Sequence, residues 1–193
     1  MNKLKEITEL LRTLPGLSLK TAERLAINLI EDKENNISAL EEIVHLSNSL
    51  IKDDLTGLIV SKDEEPNHNK EKDILLVVDS NKDIFNVLEK TKSPKSIFVL
   101  GMKNKRDFND TKKIFDRLFE VIKSYNTKEV LFLLTPSIES ELIMRVIKEE
   151  LGKTDIKNKP IITRLSMGIP FGGSIEFSDE RTIREAVNKR EKA

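Results

Sequence analysis

Two pairs of carboxylates follow apolar runs in the second half of the chain: Asp79 with Asp83, and Glu139 with Glu141. A hard cation such as Mg²⁺ takes oxygen ligands, and carboxylates at the ends of neighbouring strands can supply them. Residues two apart on a helix diverge by about 200°, so Glu139 and Glu141 cannot both face one ion unless the helix starts late. The preferred interpretation is a partner contact, or carboxylates favoured by a helix dipole, and a metal site is the alternative.

Two cations, Lys20 and Arg24, lie one helical turn apart shortly after Pro15-Gly16. Gly16 lets the backbone approach a ligand closely, and the N–H groups of a tight turn and a helix N-terminus bind phosphate. The segment 14–22 therefore fits a helix-hairpin-helix, which contacts DNA phosphates independently of base sequence. An ordinary corner between two helices, with both cations solvated, fits the same spacing.

A run rich in glycine lies near the end of the chain, with Gly168, Pro170, Gly172 and Gly173 close together. Glycine adopts backbone conformations closed to other residues and proline fixes φ, so the run predicts one defined chain reversal. No lysine follows the last glycine pair as a phosphate loop requires. The run is interpreted as a connection in which Ser174 leads into another apolar strand.

Composition narrows the class of protein. The chain has 193 residues, 38% hydrophobic and 34% charged, with zero net charge, so nucleic-acid binding needs a local patch. It has no cysteine, and its histidines are His45 and His68. Disulfides, thiolate nucleophiles and cysteine-ligated zinc are excluded. Without an apolar run of about 20 residues or a signal-peptide pattern, the expected location is the cytoplasm and no membrane contact is expected.

Helical spacing predicts three helices in the first fifty residues. The first ends at Pro15-Gly16, and the second runs from about Leu19 to Ile30 with Ser18 as its N-cap. The third begins at a capping box formed by Ser38 and Glu41. The side chains predicted to be buried in the second and third helices are Ala22, Leu25, Ala26, Leu29, Leu40, Ile43, Val44 and Leu50.

From Asp73 onward, apolar runs alternate with helical patterns. Strands are predicted at 74–78, 96–100, 130–134 and 160–165, and helices at 83–90, 111–125 and 136–151, with Pro136 at the first helical position. This order implies a mainly parallel sheet, in which function gathers at the carboxyl ends of the strands. The fold class is α/β, and the predicted segments are 1–52, a helix-hairpin-helix domain; 53–72, a linker; 73–167, the α/β domain; and 168–193, a strand and helix.

These motifs in this order resemble the RecR family of bacterial recombination mediators, over about 4–190. The most specific matches are 164–182 and 135–141, and the hairpin opening at 14–16 and the segment 77–84 agree with them. The resemblance implies a Toprim-like α/β domain with no enzymatic activity. It also implies a ring-like homodimer or homotetramer that encircles DNA and, with RecO and in some lineages RecF, loads RecA onto single-stranded DNA at the nucleoid.

The resemblance assigns roles to three sets of residues. The set that contacts DNA is Lys20, Arg24 and Gly16. The acidic Toprim set, tied to partner binding, is Asp79, Asp83, Glu139 and Glu141. The set in the C-terminal assembly region is Gly168, Pro170, Gly172 and Gly173. No cofactor is implied beyond a weak Mg²⁺ site as an alternative.

The chain departs from the family in three places. The family carries a four-cysteine zinc finger where this chain has 53–72, so this segment is held by the apolar packing of 55–60 or is mobile. A basic loop, 103–108, replaces a loop rich in glycine and proline and is interpreted as a further DNA contact or as a solvated loop. Ser140 replaces a usual glycine. A metal-dependent Toprim nuclease and a paralogue with only protein contacts remain as alternatives.

Overall fold

The computed structural model describes residues 2–63, 71–84, 95–102, 108–165, 168–169 and 172–189. The chain divides into two compact units. The first comprises 1–51 with 61–63, and the second comprises 52–60 with 64–193. No helix in the described ranges is long and apolar enough to cross a membrane.

The first unit contains three helices, α1 (Asn2–Arg12), α2 (Leu19–Glu31) and α3 (Lys33–Ser49). Ser18 caps α2, because its hydroxyl accepts a hydrogen bond from the backbone N–H of Thr21 at 3.3 Å. Ala22 and Ala26 are fully buried. The predicted second helix and its cap are therefore confirmed, and its predicted stripe is buried at the two alanines, while Leu25 and Leu29 are half-buried.

The prediction for α3 is wrong in two respects. The helix begins at Lys33, directly after Asp32 closes α2 with a backbone bond to Asn28, so Ser38 and Glu41 lie inside it. A capping box is a local signal, and here the tight turn at Asp32 starts the helix earlier. The four apolar side chains predicted to be buried are exposed in the single chain: Leu40, Ile43, Val44 and Leu50. Helical spacing gives α3 an apolar face, but no residue of α3 is buried.

Strands β1 (Leu50–Lys52) and β2 (Ile59–Ser61) form a two-stranded sheet joined by a short loop. The Asp53 N–H donates to the Leu58 carbonyl at 2.7 Å, and the Asp53 carboxylate accepts from the Thr56 N–H at 2.7 Å. The Val99 N–H in turn donates to the Thr56 carbonyl at 2.8 Å. Between apolar packing and mobility, the two alternatives for this segment, the structure shows packing for 52–60. His68 lies outside the described residues.

The second unit is built on a four-stranded sheet of β3 (Glu71–Val78), β4 (Lys95–Val99), β5 (Glu129–Phe132) and β6 (Ile161–Arg164). The strand order is β4-β3-β5-β6 and every pair is parallel. Helix α4 (Phe108–Tyr125) follows β4, and helix α5 (Ile138–Lys153) follows β5. The predicted parallel α/β fold is confirmed. The predicted helix 83–90 lies mostly outside the described residues.

Alternating residues of β3 belong to two separate apolar clusters. Leu75 and Val77 pack in one cluster together with α4 and α5 side chains, and Leu76 and Val78 pack in the other. Because successive strand residues point to opposite faces, both faces of the sheet are covered. This arrangement explains why the apolar run of β3 is continuous. Pairing with β4 and β5 fixes the carboxyl end of β3 next to the carboxyl ends of those two strands.

Two predicted boundaries after the third strand are corrected. Pro136 precedes α5, because Ser137 is the N-cap and forms a reciprocal capping box with Ser140. The predicted strand after Ser174 is a short 3₁₀ helix at Ile175–Phe177, because the Ser174 hydroxyl accepts from the backbone N–H of Glu176 at 3.2 Å. Helix α6 (Glu180–Asn188) then follows with Asp179 as its N-cap.

Candidate DNA-binding hairpin and acidic cavity

The turn between α1 and α2 has the backbone geometry of a hairpin. Helix α1 ends with bonds from Thr13 and Leu14 back to the preceding turn, and the chain then reverses at Gly16, whose φ is +88°. This value lies in the left-handed region, which costs other residues energy. A Cβ at Gly16 would have no atom within 4 Å, so the turn is open at this point. The sequence-predicted Gly16 therefore sets the backbone of the hairpin.

Lys20 and Arg24 lie on the first two turns of α2 and both are exposed. The first turn of α2 contains no acidic residue, so the positive end of the helix dipole is not neutralised there. Within the described part of the chain, neither cation has an ion-pair partner. The structure thus brings the three predicted DNA-contacting residues onto one stretch of α2 and its preceding turn. This arrangement can bind a phosphate through the helix N-terminus and two cations.

The carboxyl ends of the strands surround a cavity of about 400 Å³. Asp79 and Asp83 line it after β3, and Glu139 lines it from the first turn of α5. The rest of the lining consists of apolar and hydroxyl side chains: Leu100, Met102, Leu133, Leu134, Thr135, Ser137, Ser140, Leu142 and Ile143. We call this feature the acidic cavity. Three of the four predicted acidic residues therefore meet there.

The two aspartates of the acidic cavity also hold its backbone in place. The Asp83 carboxylate accepts hydrogen bonds from the Ser80 N–H at 2.9 Å and from the Ser80 hydroxyl at 2.8 Å. The Asp79 carbonyl accepts from the Gly101 N–H at 2.8 Å, at a residue whose φ is +64°. Asp83 therefore fixes the turn after β3. In the described ranges, no group of three or more carboxylate or histidine side chains has the spacing of a metal site.

Glu141, the fourth predicted acidic residue, does not line the acidic cavity. It lies beside a separate small cleft together with Pro136, Arg164 and Leu165. Its carboxylate accepts from the Arg164 guanidinium at 2.7 Å and also pairs with Arg181 of α6. The divergence of Glu139 and Glu141 follows from helical geometry, since both lie within the first turns of α5.

Ion pairs continue from Glu141 to the C-terminal helix. The Arg164 guanidinium lies 3.6 Å from the Glu185 carboxylate, which also pairs with Lys189 at 3.1 Å. The hydrogen bond from Lys189, together with its charge and those of the two arginines, lowers the pKa of Glu185. Sequence reasoning gave no role to Arg164, Arg181 or Glu185, and the only local signal was a strand that ends on an arginine.

The predicted assembly segment is described only in part. Gly168, Gly172 and Gly173 are exposed, and the φ of Gly172 is +80°, in the left-handed region that favours glycine. Pro170 lies outside the described residues, as does 103–107 of the basic loop.

The loop after β1 lacks the cysteines of the zinc finger that the family carries in this part of the chain. The chain has no cysteine, and the loop is closed by hydrogen bonds. The Asn81 amide donates to the Gly57 carbonyl at 3.0 Å, and the Arg117 guanidinium donates to the Asp54 carbonyl at 2.9 Å. Arg117 also lies over the Phe98 ring, 5.5 Å from its centroid. Asn81 and Arg117 were missed by sequence reasoning because they lie far from the loop along the chain.

A helix-hairpin-helix unit followed by a Toprim-like α/β unit with carboxylates at its strand ends defines a class of DNA-associated proteins. The chain is similar along its length to recombination protein RecR of Rippkaea orientalis, 30% identical over 198 residues that cover 97% of this chain and 95% of the relative. It is 28% identical to the protein of that name from Bifidobacterium adolescentis, over 97% of this chain and 94% of the relative. The chain belongs to the RecR family.

A third relative with the same name, from Clostridium perfringens, is 29% identical over 199 residues that cover 97% of this chain and 95% of the relative. No family model matches the chain. Because the relatives are covered almost end to end, the similarity includes the hairpin, the acidic cavity and the C-terminal segment.

Proposed function

We propose that this chain is a DNA-binding recombination mediator in DNA repair with no chemistry of its own. With a RecO-like partner, and RecF where it is present, it loads RecA onto single-stranded DNA at the nucleoid. The observation that carries the proposal is the exposed pair of cations, Lys20 and Arg24, at the N-terminus of a hairpin helix. Relatives named as recombination proteins match this chain over almost their whole length and support the same role.

DNA binding is tested by removing the two hairpin cations. Because each phosphate contact releases condensed counterions, the Lys20→Ala/Arg24→Ala variant should weaken binding and reduce the slope of log K against log salt by about 1–2. The measurement is a fluorescence-anisotropy titration at several salt concentrations. The control is Lys148→Ala/Lys157→Ala, which removes two exposed cations from the second unit. Equal salt slopes for the two variants would argue against the hairpin as the DNA contact.

We assign the acidic cavity to a protein partner, with Asp79, Asp83 and Glu139 as its charged rim. Glu139→Gln should weaken the complex with a RecO-like protein, measured by calorimetry, while DNA binding stays at the wild-type value. The same cavity is the site that a Toprim nuclease would use. Incubation with nicked and single-stranded DNA plus Mg²⁺ should leave the DNA intact. Cleavage that Asp79→Asn abolishes would overturn the non-enzymatic assignment.

A homodimer or homotetramer is the proposed assembly. The apolar face of α3 supports it, because Ile43 and Val44 are 58% and 59% exposed in the single chain. Soluble proteins rarely leave such contiguous apolar surface open to water. Light scattering with and without DNA gives the mass, and a monomer under both conditions would contradict a ring.

A further inference from the structure

The C-terminal helix α6 has little apolar burial of its own, since its side chains Ile183 and Ala186 are only half-buried. No residue of α6 is buried, and Ile175 and Phe177 just before it are 67% and 86% exposed. Amphipathic helices in proteins are mostly held by burial of an apolar face. Interactions other than apolar burial must therefore add to the placement of α6.

Charged side chains from three elements meet at one end of the sheet. Glu141 comes from the first turns of α5, Arg164 ends β6, and Arg181 and Glu185 belong to α6. The Glu141 carboxylate pairs with Arg164 at 2.7 Å and with Arg181, and Arg164 in turn lies 3.6 Å from Glu185. Two carboxylates and two guanidinium groups thus alternate, so each charge faces an opposite charge.

These ion pairs are partly shielded from solvent. The exposed fractions of the side chains are 33% for Glu141, 37% for Arg164, 46% for Arg181 and 25% for Glu185. Isolated surface pairs contribute little, but a network that shares its charges with good geometry contributes more. Partial exposure also means that added salt screens the network.

We infer that Glu141 is a positioning residue that latches the C-terminal helix α6 onto the end of β6 through Arg164 and Arg181. The family resemblance placed this glutamate with the partner-binding carboxylates, but its carboxylate is already occupied by two guanidinium groups. Glu139, two residues earlier, lines the acidic cavity instead. The latch makes the placement of the C-terminal segment dependent on ionic strength.

The test is hydrogen–deuterium exchange of the full chain, measured at the α6 amides. Loss of the latch in Glu141→Gln should speed exchange in α6 by roughly 5- to 30-fold, the factor that a loss of 1–2 kcal/mol gives. Exchange in β3 should stay at the wild-type rate. Glu139→Gln is the matched control, since it removes the same charge two residues away and should leave α6 unchanged. Arg184→Gln breaks only a pair with Glu180 within α6 and should change exchange by about 2-fold at most.

Two further readouts separate a charge latch from a general structural role. Arg181→Lys keeps the positive charge and should restore most of the protection that Arg181→Gln loses. Raising the salt concentration should speed α6 exchange in the wild type towards the rate of Glu141→Gln, whose own rate should change little. The latch is wrong if Glu141→Gln exchanges like the wild type, if Glu139→Gln has the same effect, or if β3 loosens equally. The outcome does not depend on DNA or partner binding, so it stands or fails separately from the proposed function.

Discussion

The acidic residues near the sheet edge lie in different environments although their sequence pattern is uniform. Glu139 and Glu141 are both acidic and both follow β5, yet one lines the acidic cavity and the other pairs with two arginines. The angular step between them on α5 separates the two environments. A mutational study that treats the acidic residues as one group would therefore mix the acidic cavity with the ion pairs that reach α6.

The pH dependence of α6 follows from Glu185. The hydrogen bond from Lys189, its charge, and the charges of Arg164 and Arg181 lower the pKa of Glu185 from its ordinary value of 4.5. A carboxylate with a lowered pKa stabilises the fold above its unfolded pKa, and this contribution is lost as the pH falls through the folded pKa. Asp179, which caps α6 through Thr182, has a lowered pKa and acts in the same direction.

We therefore expect the protection of α6 to be constant above about pH 5 and to fall below the unfolded pKa of about 4.5. Exchange rates corrected for the intrinsic pH effect give the measurement. In Glu185→Gln the profile should be flatter, with the remaining slope due to Asp179. A profile that is unchanged in this variant would show that Glu185 does not contribute.

The hairpin backbone depends on one residue, Gly16. Because its φ is +88°, Gly16→Ala should destabilise the turn by about 1–2 kcal/mol, and DNA binding should weaken with it. Urea unfolding monitored by circular dichroism measures the change. Gly152→Ala is the control, since Gly152 lies in α5 without a positive φ, and a Cβ there would have no atom within 4 Å. That variant should be as stable as the wild type or slightly more stable.

At the scale of elements, the strands could be predicted and several attachments could not. Apolar runs such as 74–78 specify β3 because both faces of the sheet are buried. The start of α5 was predicted at Pro136 because proline fits the first helical position, but the capping box of Ser137 and Ser140 starts the helix at Ile138. The Arg181–Glu141 pair joins residues 40 apart in sequence, and no local pattern indicates it.

Hydrogen bonds close the loop between β1 and β2. Asp53 accepts from the N–H and the hydroxyl of Thr56, a residue that is 4% exposed. Asp53→Ala should therefore lower the free energy of unfolding by about 1–3 kcal/mol, the cost of losing hydrogen bonds to a charged group. Asp54→Ala, which removes an exposed neighbouring carboxylate, is the control.

Metal removal gives the complementary test of this loop. Dialysis against EDTA should leave the thermal midpoint unchanged, because hydrogen bonds and apolar packing hold the loop. A fall in the midpoint on chelation, reversed by added Zn²⁺, would contradict a metal-independent loop.

At the scale of the whole molecule, zero net charge limits how the protein attracts DNA. With 33 basic and 33 acidic residues, no long-range field steers the nucleic acid, and affinity must come from local patches. A single hairpin offers two cations and a helix N-terminus, which gives weak binding. An oligomer that presents several hairpins to one strand would bind more tightly, since the second contact becomes intramolecular.

Breaking the oligomer should therefore weaken binding to long DNA far more than binding to short DNA. Ile43→Asp places a charge on the exposed apolar face of α3, where Ile43 is 58% exposed, and should shift the protein to monomer without unfolding it. Affinity for a 30-nucleotide strand should fall by about 10²-fold or more, the gain expected from linked sites. Affinity for a strand of about 6 nucleotides, on which two hairpins are not expected to bind at once, should not change, because no gain from linked sites is lost. Equal losses on both strands would mean that α3 supports the hairpin itself, and a stable oligomer in Ile43→Asp would place the assembly contact on another surface.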